Sequence, residues 1–136
     1  MSDAPSLSIA LLAIRLLAGI LFFFQGYDKL FRLKTEGVVR VFADVLAQKN
    51  ISIAFARICV FLSSWVEMAA GLLLVLGLFR DVALYMLTVD MICVALAFSV
   101  LKPMWEMGYF FPRFLLVMAM LLLPREWDSF CLQNLF

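Results

Sequence analysis

The sequence contains no histidine. That removes the usual haem ligand, the commonest zinc and copper ligand and the side chain best suited to relaying protons near neutral pH, so no metal site is expected. A surplus of one charge is also missing. Eleven Lys and Arg face ten Asp and Glu, for a formal net charge of +1, and nucleic acid, which needs a concentrated basic face, is not an expected partner. The three cysteines, Cys59, Cys93 and Cys131, form no CxxC pair and no ligand cluster, and they read as small packing residues. Cys59 and Cys93 fall on the same half of neighbouring apolar stretches, and spacing alone leaves a bridge between them open. The opening, MSDAPSLSIALLAIRLLAG, has neither a basic leader nor a small-residue cleavage site, so it is expected to be retained as a span.

What the chain has instead is apolar surface. Of its 136 residues 66% are hydrophobic, against about half in soluble domains. A helix needs about 20 apolar residues to cross the hydrocarbon core, and residues 9–31, 56–79, 82–101 and 104–123 supply four such runs. The expected fold is all-α: a four-transmembrane-helix bundle forming one integral membrane domain over 1–136. The three-residue link at 79–81 makes spans two and three an antiparallel hairpin, and Pro103 marks a tight turn into span four. Pro112, inside span four, is expected to bend it.

Only the first connection is long. Within EGVVRVFADVLAQK, residues 36–49, Val38, Val39, Phe42, Val45 and Leu46 recur at helical spacing, opposite Glu36, Arg40, Asp44 and Gln48. This is an amphipathic helix, expected to lie in the headgroup plane or to dock a partner helix. The side bearing loops one and three collects Lys29, Arg32, Lys34, Arg40, Lys49, Arg57 and Lys102, against Arg80 and Arg125 on the other. That count favours both termini outside.

Each span carries an ionisable residue away from its ends: Arg15, Glu67, Asp90 and Arg113. Charges left against lipid are costly, so such residues face the bundle interior and pair. At about 1.5 Å of rise per residue, their depths from the terminus-bearing side are about 9, 18, 12 and 15 Å, one layer within reach of long arginine side chains. Two readings of the layer stand. Either the acids neutralise the arginines and fix helix register, or the layer binds a quinone headgroup or another polar ligand, or handles protons for a redox partner. Small residues line the same faces: Arg15, Gly19, Phe22, Gly26 and Lys29 share one side of span one, and Glu67 shares a side with Ser63, Ser64 and Gly71. Trp65, close to Glu67, is a candidate pocket wall, whereas Trp105, Tyr109 and Trp127 read as interfacial belt residues.

RLLAGILFFFQGYDKL in span one and EMAAGLLLVLGLFRD at the end of span two together resemble the DoxX family of small bacterial membrane proteins. Arg15, Gly19, Gly26, Lys29, Glu67, Gly71 and Gly77 are the positions that carry the likeness, and the four-span plan with a long first connection agrees with it. The resemblance implies a multi-pass protein of the bacterial inner (cytoplasmic) membrane. It also implies an accessory role in a quinone-linked redox complex of the thiosulfate:quinone oxidoreductase type. The sequence itself has no haem ligand, flavin or iron–sulfur motif or paired thiols, so no intrinsic cofactor is expected and redox work would need a quinone or a partner. No catalytic residue is assigned. The alternative is a non-catalytic scaffold or assembly factor. Expected partners are the lipid bilayer and a membrane protein, or a second copy of the chain.

Overall fold

A computed structural model describes residues 4–101, 108, 110–128 and 130. Among these, every regular element is helical. Helix α1 (Ala4–Tyr27) runs into a π-helical turn (Asp28–Arg32), followed by the short helices α2 (Lys34–Arg40) and α3 (Ala43–Gln48). Then come α4 (Ile53–Leu76), α5 (Arg80–Leu101), α6 (Phe111–Leu122) and a 3-10 turn (Arg125–Trp127).

Three helices are long and apolar enough to cross a membrane: Pro5–Arg32, Ile53–Leu76 and Arg80–Leu101, of 28, 24 and 22 residues. Within the expected 104–123 span the described α-helix is α6, with 12 residues. Lys102, Pro103, Trp105, Tyr109 and Cys131 lie outside the described residues. Pro112 does not sit where expected. It occupies the first turn of α6, where its missing N–H removes no intrahelical hydrogen bond, so it starts the helix rather than bending it. The single amphipathic helix expected over 36–49 is two helices, broken at Val41–Phe42, where Phe42 N–H turns back to the Val39 carbonyl at 3.0 Å. Neither proline nor glycine stands at the break. Both pieces still bury one apolar residue each, Val39 and Leu46.

The tightest helix pair is α1 against α4, and glycine is the reason. A methyl group on Gly71 would stand 2.7 Å from the Gly19 carbonyl oxygen, and one on Gly19 would stand 2.9 Å from the Gly71 carbonyl. Farther along, Gly26 lies against the Ser64 carbonyl and the backbone of Met68. Such spacing lets two backbones touch in a medium that provides no hydrophobic drive for helices to associate. Helix α4 ends at Gly77, whose φ of 67° is left-handed. Leu78 N–H bonds the Leu73 carbonyl at 3.0 Å and Gly77 N–H bonds that of Leu74 at 3.1 Å, a Schellman closure that turns the chain straight into α5. Helix α6 packs on both α5 and α1, closing a ring of four helices around Phe22, Leu74, Leu87 and Met120. Outside that core the long helices present Phe24, Phe61, Tyr85 and Leu96 outward. An apolar exterior of this kind belongs to a protein whose solvent is lipid.

Candidate functional site

Gly26 sets the first cluster. Because α1 presses on the Ser64–Met68 stretch of α4 there, residues on either side of Gly26 reach across to Glu67. Lys29, in the π-helical turn, places Nζ 2.9 Å from Glu67 Oε1 and 2.7 Å from Oε2, and Gln25 Nε2 donates to Oε1 at 3.1 Å. Gln25 and Lys29 are four residues apart and so share a helix face. The turn that carries Lys29 is wider than an α-turn, with Leu33 N–H bonded to the Asp28 carbonyl at 2.8 Å. π-Helical turns recur at functional sites. Glu67 is fully buried, while 22% of the Lys29 side chain is exposed.

Two more helices complete this cluster. Asp90 of α5, only 6% exposed, faces the Ser63 side chain of α4 and feels the Lys29 charge. Ser63 Oγ and Asp90 Oδ2 are buried and close no hydrogen bond of good geometry, although the hydroxyl is near enough to interact with the carboxylate. Arg113 of α6, half-buried, interacts electrostatically with Glu67 without an ion pair closing between them. The result is a polar centre of Gln25, Lys29, Ser63, Glu67, Asp90 and Arg113, supplied by all four packed helices. Chemically it offers a fixed cation, hydroxyl and guanidinium donors, and a carboxylate oxygen with unused acceptor capacity.

Arg15 belongs elsewhere. Gly19 and Gly71 are level across the antiparallel pair, so Arg15, one turn before Gly19, and Glu67, one turn before Gly71, diverge in depth by about 12 Å. The single layer of four charges therefore divides. Arg15, 2% exposed, pairs with Asp128, 1% exposed, its Nη1 lying 3.3 Å from both carboxylate oxygens, and its Nη2 donates to the Phe130 carbonyl at 3.0 Å. Arg80 joins from the first turn of α5. Its Nη2 donates to the Met120 carbonyl at 2.6 Å and the Leu123 carbonyl at 3.3 Å, and its Nε lies 3.8 Å from Asp128 Oδ2. Arg80 thus satisfies carbonyls at the C-terminal end of α6, which no later turn of that helix can reach.

Sequence reasoning placed Glu67, Asp90 and Arg113 in one neighbourhood but missed Gln25, Asp128 and the role of Arg80. Gln25 carried a usable signal, being the polar residue one helical turn from Lys29 on the glycine face. Arg80, at the end of an apolar run, read as a loop cation, and Asp128 lies in no span. Lys29 is a family-like position that the structure turns into the direct partner of Glu67. Gly77 is the left-handed cap already described. Trp65 is not beside Glu67: two residues earlier, it points to the opposite side of α4, 46% exposed and edge-on to Phe61 at 6.3 Å between ring centroids.

Three long apolar helices, with charges paired between them, define a multi-pass α-helical membrane protein. The model of the DoxX family matches residues 10–100, and the chain belongs to that family. The matched segment includes Lys29, Glu67 and Asp90, whereas Arg113 and Asp128 lie beyond it. Comparison with curated proteins and with solved structures gives no significant match.

Proposed function

We propose that this DoxX-family protein is an accessory subunit of a quinone-linked redox complex in the bacterial inner membrane, and that the Lys29–Glu67 centre takes a quinone headgroup or a small anion. In this reading 104–123 is a fourth span, α2 and α3 lie in the headgroup plane, and the distribution of Lys and Arg puts both termini outside.

One observation carries the ligand reading: Ser63 Oγ and Asp90 Oδ2 are buried beside a closed ion pair and interact with each other without closing a hydrogen bond of good geometry. Buried polar groups are normally satisfied, and a pair so loosely joined keeps capacity for a ligand's polar atoms. A quinone fits that pattern. Lys29, Ser63 and Arg113 would donate to its carbonyl oxygens, and Asp90 would accept from the hydroxyl of the reduced form. When bound, the quinone supplies two-electron, two-proton carriage. The residues of this chain hold the ring, keep the site dry and give or take protons at the Asp90 and Glu67 carboxylates. Electrons come from a partner, since the sequence has no histidine and no paired thiols.

The test is gentle purification of the native complex with Asp90→Asn and Glu67→Gln variants, followed by measurement of quinone per subunit and quinone-dependent turnover. Both quantities are expected to fall while the complex stays assembled. Unchanged quinone content and turnover in both variants would sink the reading. The scaffold alternative predicts the reverse split, in which assembly weakens and electron transfer per assembled complex stays constant. It has one support fewer than the sequence suggested, because the glycine face of α1 is occupied by α4 of the same chain.

A further inference from the structure

Away from the polar centre, a groove of about 230 Å³ opens between α2, α3 and the start of α4, lined by Glu36, Val39, Arg40, Ala43, Ile53 and Arg57. It sits where the Pro5–Arg32 span ends and the Ile53–Leu76 span begins, at the boundary between the apolar helices and the basic connection. We infer that this groove binds the phosphate of an anionic phospholipid, with an acyl chain descending along one outer stripe of α4. The inference rests on the placement of α2 and α3 at the membrane surface and is independent of the quinone site.

The charge argument comes first. Residues 28–57 contain six Lys and Arg against three Asp and Glu. Two of those basic residues are spoken for, because Arg32 pairs with Asp28 at 3.2 Å and Lys29 pairs with Glu67. Arg40 is exposed and makes no ion pair with any described residue. Arg57 reaches Glu36 at 3.4 Å, but the two side chains are 50% and 60% exposed, and pairs so open to solvent hold weakly. A phosphate displaces such a contact readily and accepts two guanidinium forks in planar, bidentate geometry. Glu36 is left with water on its open side.

The second argument says why the phosphate belongs to a lipid. The floor of the groove is apolar: Val39 is 4% exposed, and Ala43 and Ile53 flank it. From there Ile53, Arg57, Phe61 and Trp65 follow at four-residue spacing, so they form one stripe down α4. Phe61 and Trp65 are 47% and 46% exposed and meet edge to face. The stripe therefore begins with a guanidinium at the surface and continues into the membrane as exposed aromatic rings, the order in which a phospholipid presents headgroup and chain. Anionic headgroups are concentrated in the leaflet where basic connections gather.

The experiment uses the full chain in nanodiscs of phosphatidylcholine doped with phosphatidylglycerol, extracted gently, with retained lipid measured by mass spectrometry. Phosphatidylglycerol is expected to be enriched over its share of the bilayer. Paired Arg40→Gln and Arg57→Gln substitutions should lower the enrichment by about fivefold per arginine, with the circular dichroism spectrum unchanged. Lys34→Gln with Lys49→Gln, which removes the same charge from exposed positions outside the groove, should leave it nearly intact. Trp65→Ala should weaken retention of the lipid. Equal loss from the Lys34/Lys49 pair would show a diffuse basic surface and overturn the site. Displacement of the lipid by inorganic phosphate would overturn the acyl-chain half. No enrichment at all would return the groove to a partner helix.

Discussion

Lys29 Nζ lies 2.7 Å from Glu67 Oε2, joining the end of the first long helix to the middle of the second. The carboxylate is fully buried, and the lysine keeps part of its length in the open, so the stem lies along apolar surface while the ammonium reaches inward. This contact explains how Glu67 sits within the apolar helix α4: its counter-charge comes from a helix that glycine has brought to backbone contact. Removing one partner leaves the other as an uncompensated charge in a low-dielectric interior.

Lys29→Met is therefore expected to destabilise the bundle by about 3 kcal/mol. Lys29→Met combined with Glu67→Leu should recover most of that loss, because no buried charge remains. Thermal unfolding in detergent, read across the four-member mutant cycle, checks it. Additive losses would mean that the two side chains do not depend on each other.

The α1–α4 contact makes a prediction about glycine that distinguishes position from composition. Gly71→Ala puts a methyl group against the backbone of Phe23 and Gly19, where neither neighbour can swing away, and should cost about 1–3 kcal/mol. Gly37→Ala in α2 meets nothing closer than 3.8 Å and should be neutral or stabilising by about 0.5 kcal/mol, since alanine favours helix. Melting temperatures of the two variants, measured side by side, should move in opposite directions or differ by several degrees.

Arg80 ties the hairpin turn to the end of α6 through the Met120 and Leu123 carbonyls and approaches Asp128. Arg80→Met should expose those carbonyls and loosen the last turn of α6, lowering stability by about 2 kcal/mol. Asp128→Asn should loosen the same region by removing the carboxylate shared with Arg15. Hydrogen exchange at residues 119–128 is expected to quicken in both variants, while exchange around Glu67 stays slow. Uniform quickening along the chain would show that the two clusters are not separate.

The sequence made the spans legible because hydropathy over 20 residues needs no tertiary information. Helices α4 and α5 begin and end within three residues of the expected bounds, apart from the residues that form the Gly77 turn. The identity of the charged centre was legible for the same reason: Glu67, Asp90 and Arg113 stand out against apolar surroundings. Who pairs with whom was not. Depth counted from loop positions carries an error of a turn or more per helix, and the true register is set by the Gly19–Gly71 approach, which only the packed pair reveals. That error was enough to put Arg15 in one layer with Glu67, Asp90 and Arg113, when it pairs with Asp128. The split between α2 and α3 had no local signal, and Pro112 read as interior because the apolar run continues on both sides of it.

The cysteines supply a last prediction, since a bridge between Cys59 and Cys93 remained open from spacing alone. In the fold both thiols are free and exposed, and both lie within helices long enough to span the membrane. Exposure there means contact with acyl chains, which a maleimide reaches only if it partitions into lipid. In a Cys131→Ser background, a membrane-permeant N-alkylmaleimide should label both remaining cysteines without prior reduction, slowly and with Cys59, nearer the helix end, ahead of Cys93. A charged, impermeant maleimide should label neither in sealed vesicles, and detergent extraction should raise its reaction with both. Labelling that required a reductant would establish a bridge and force α4 and α5 into a different register from the one the Gly77 turn defines.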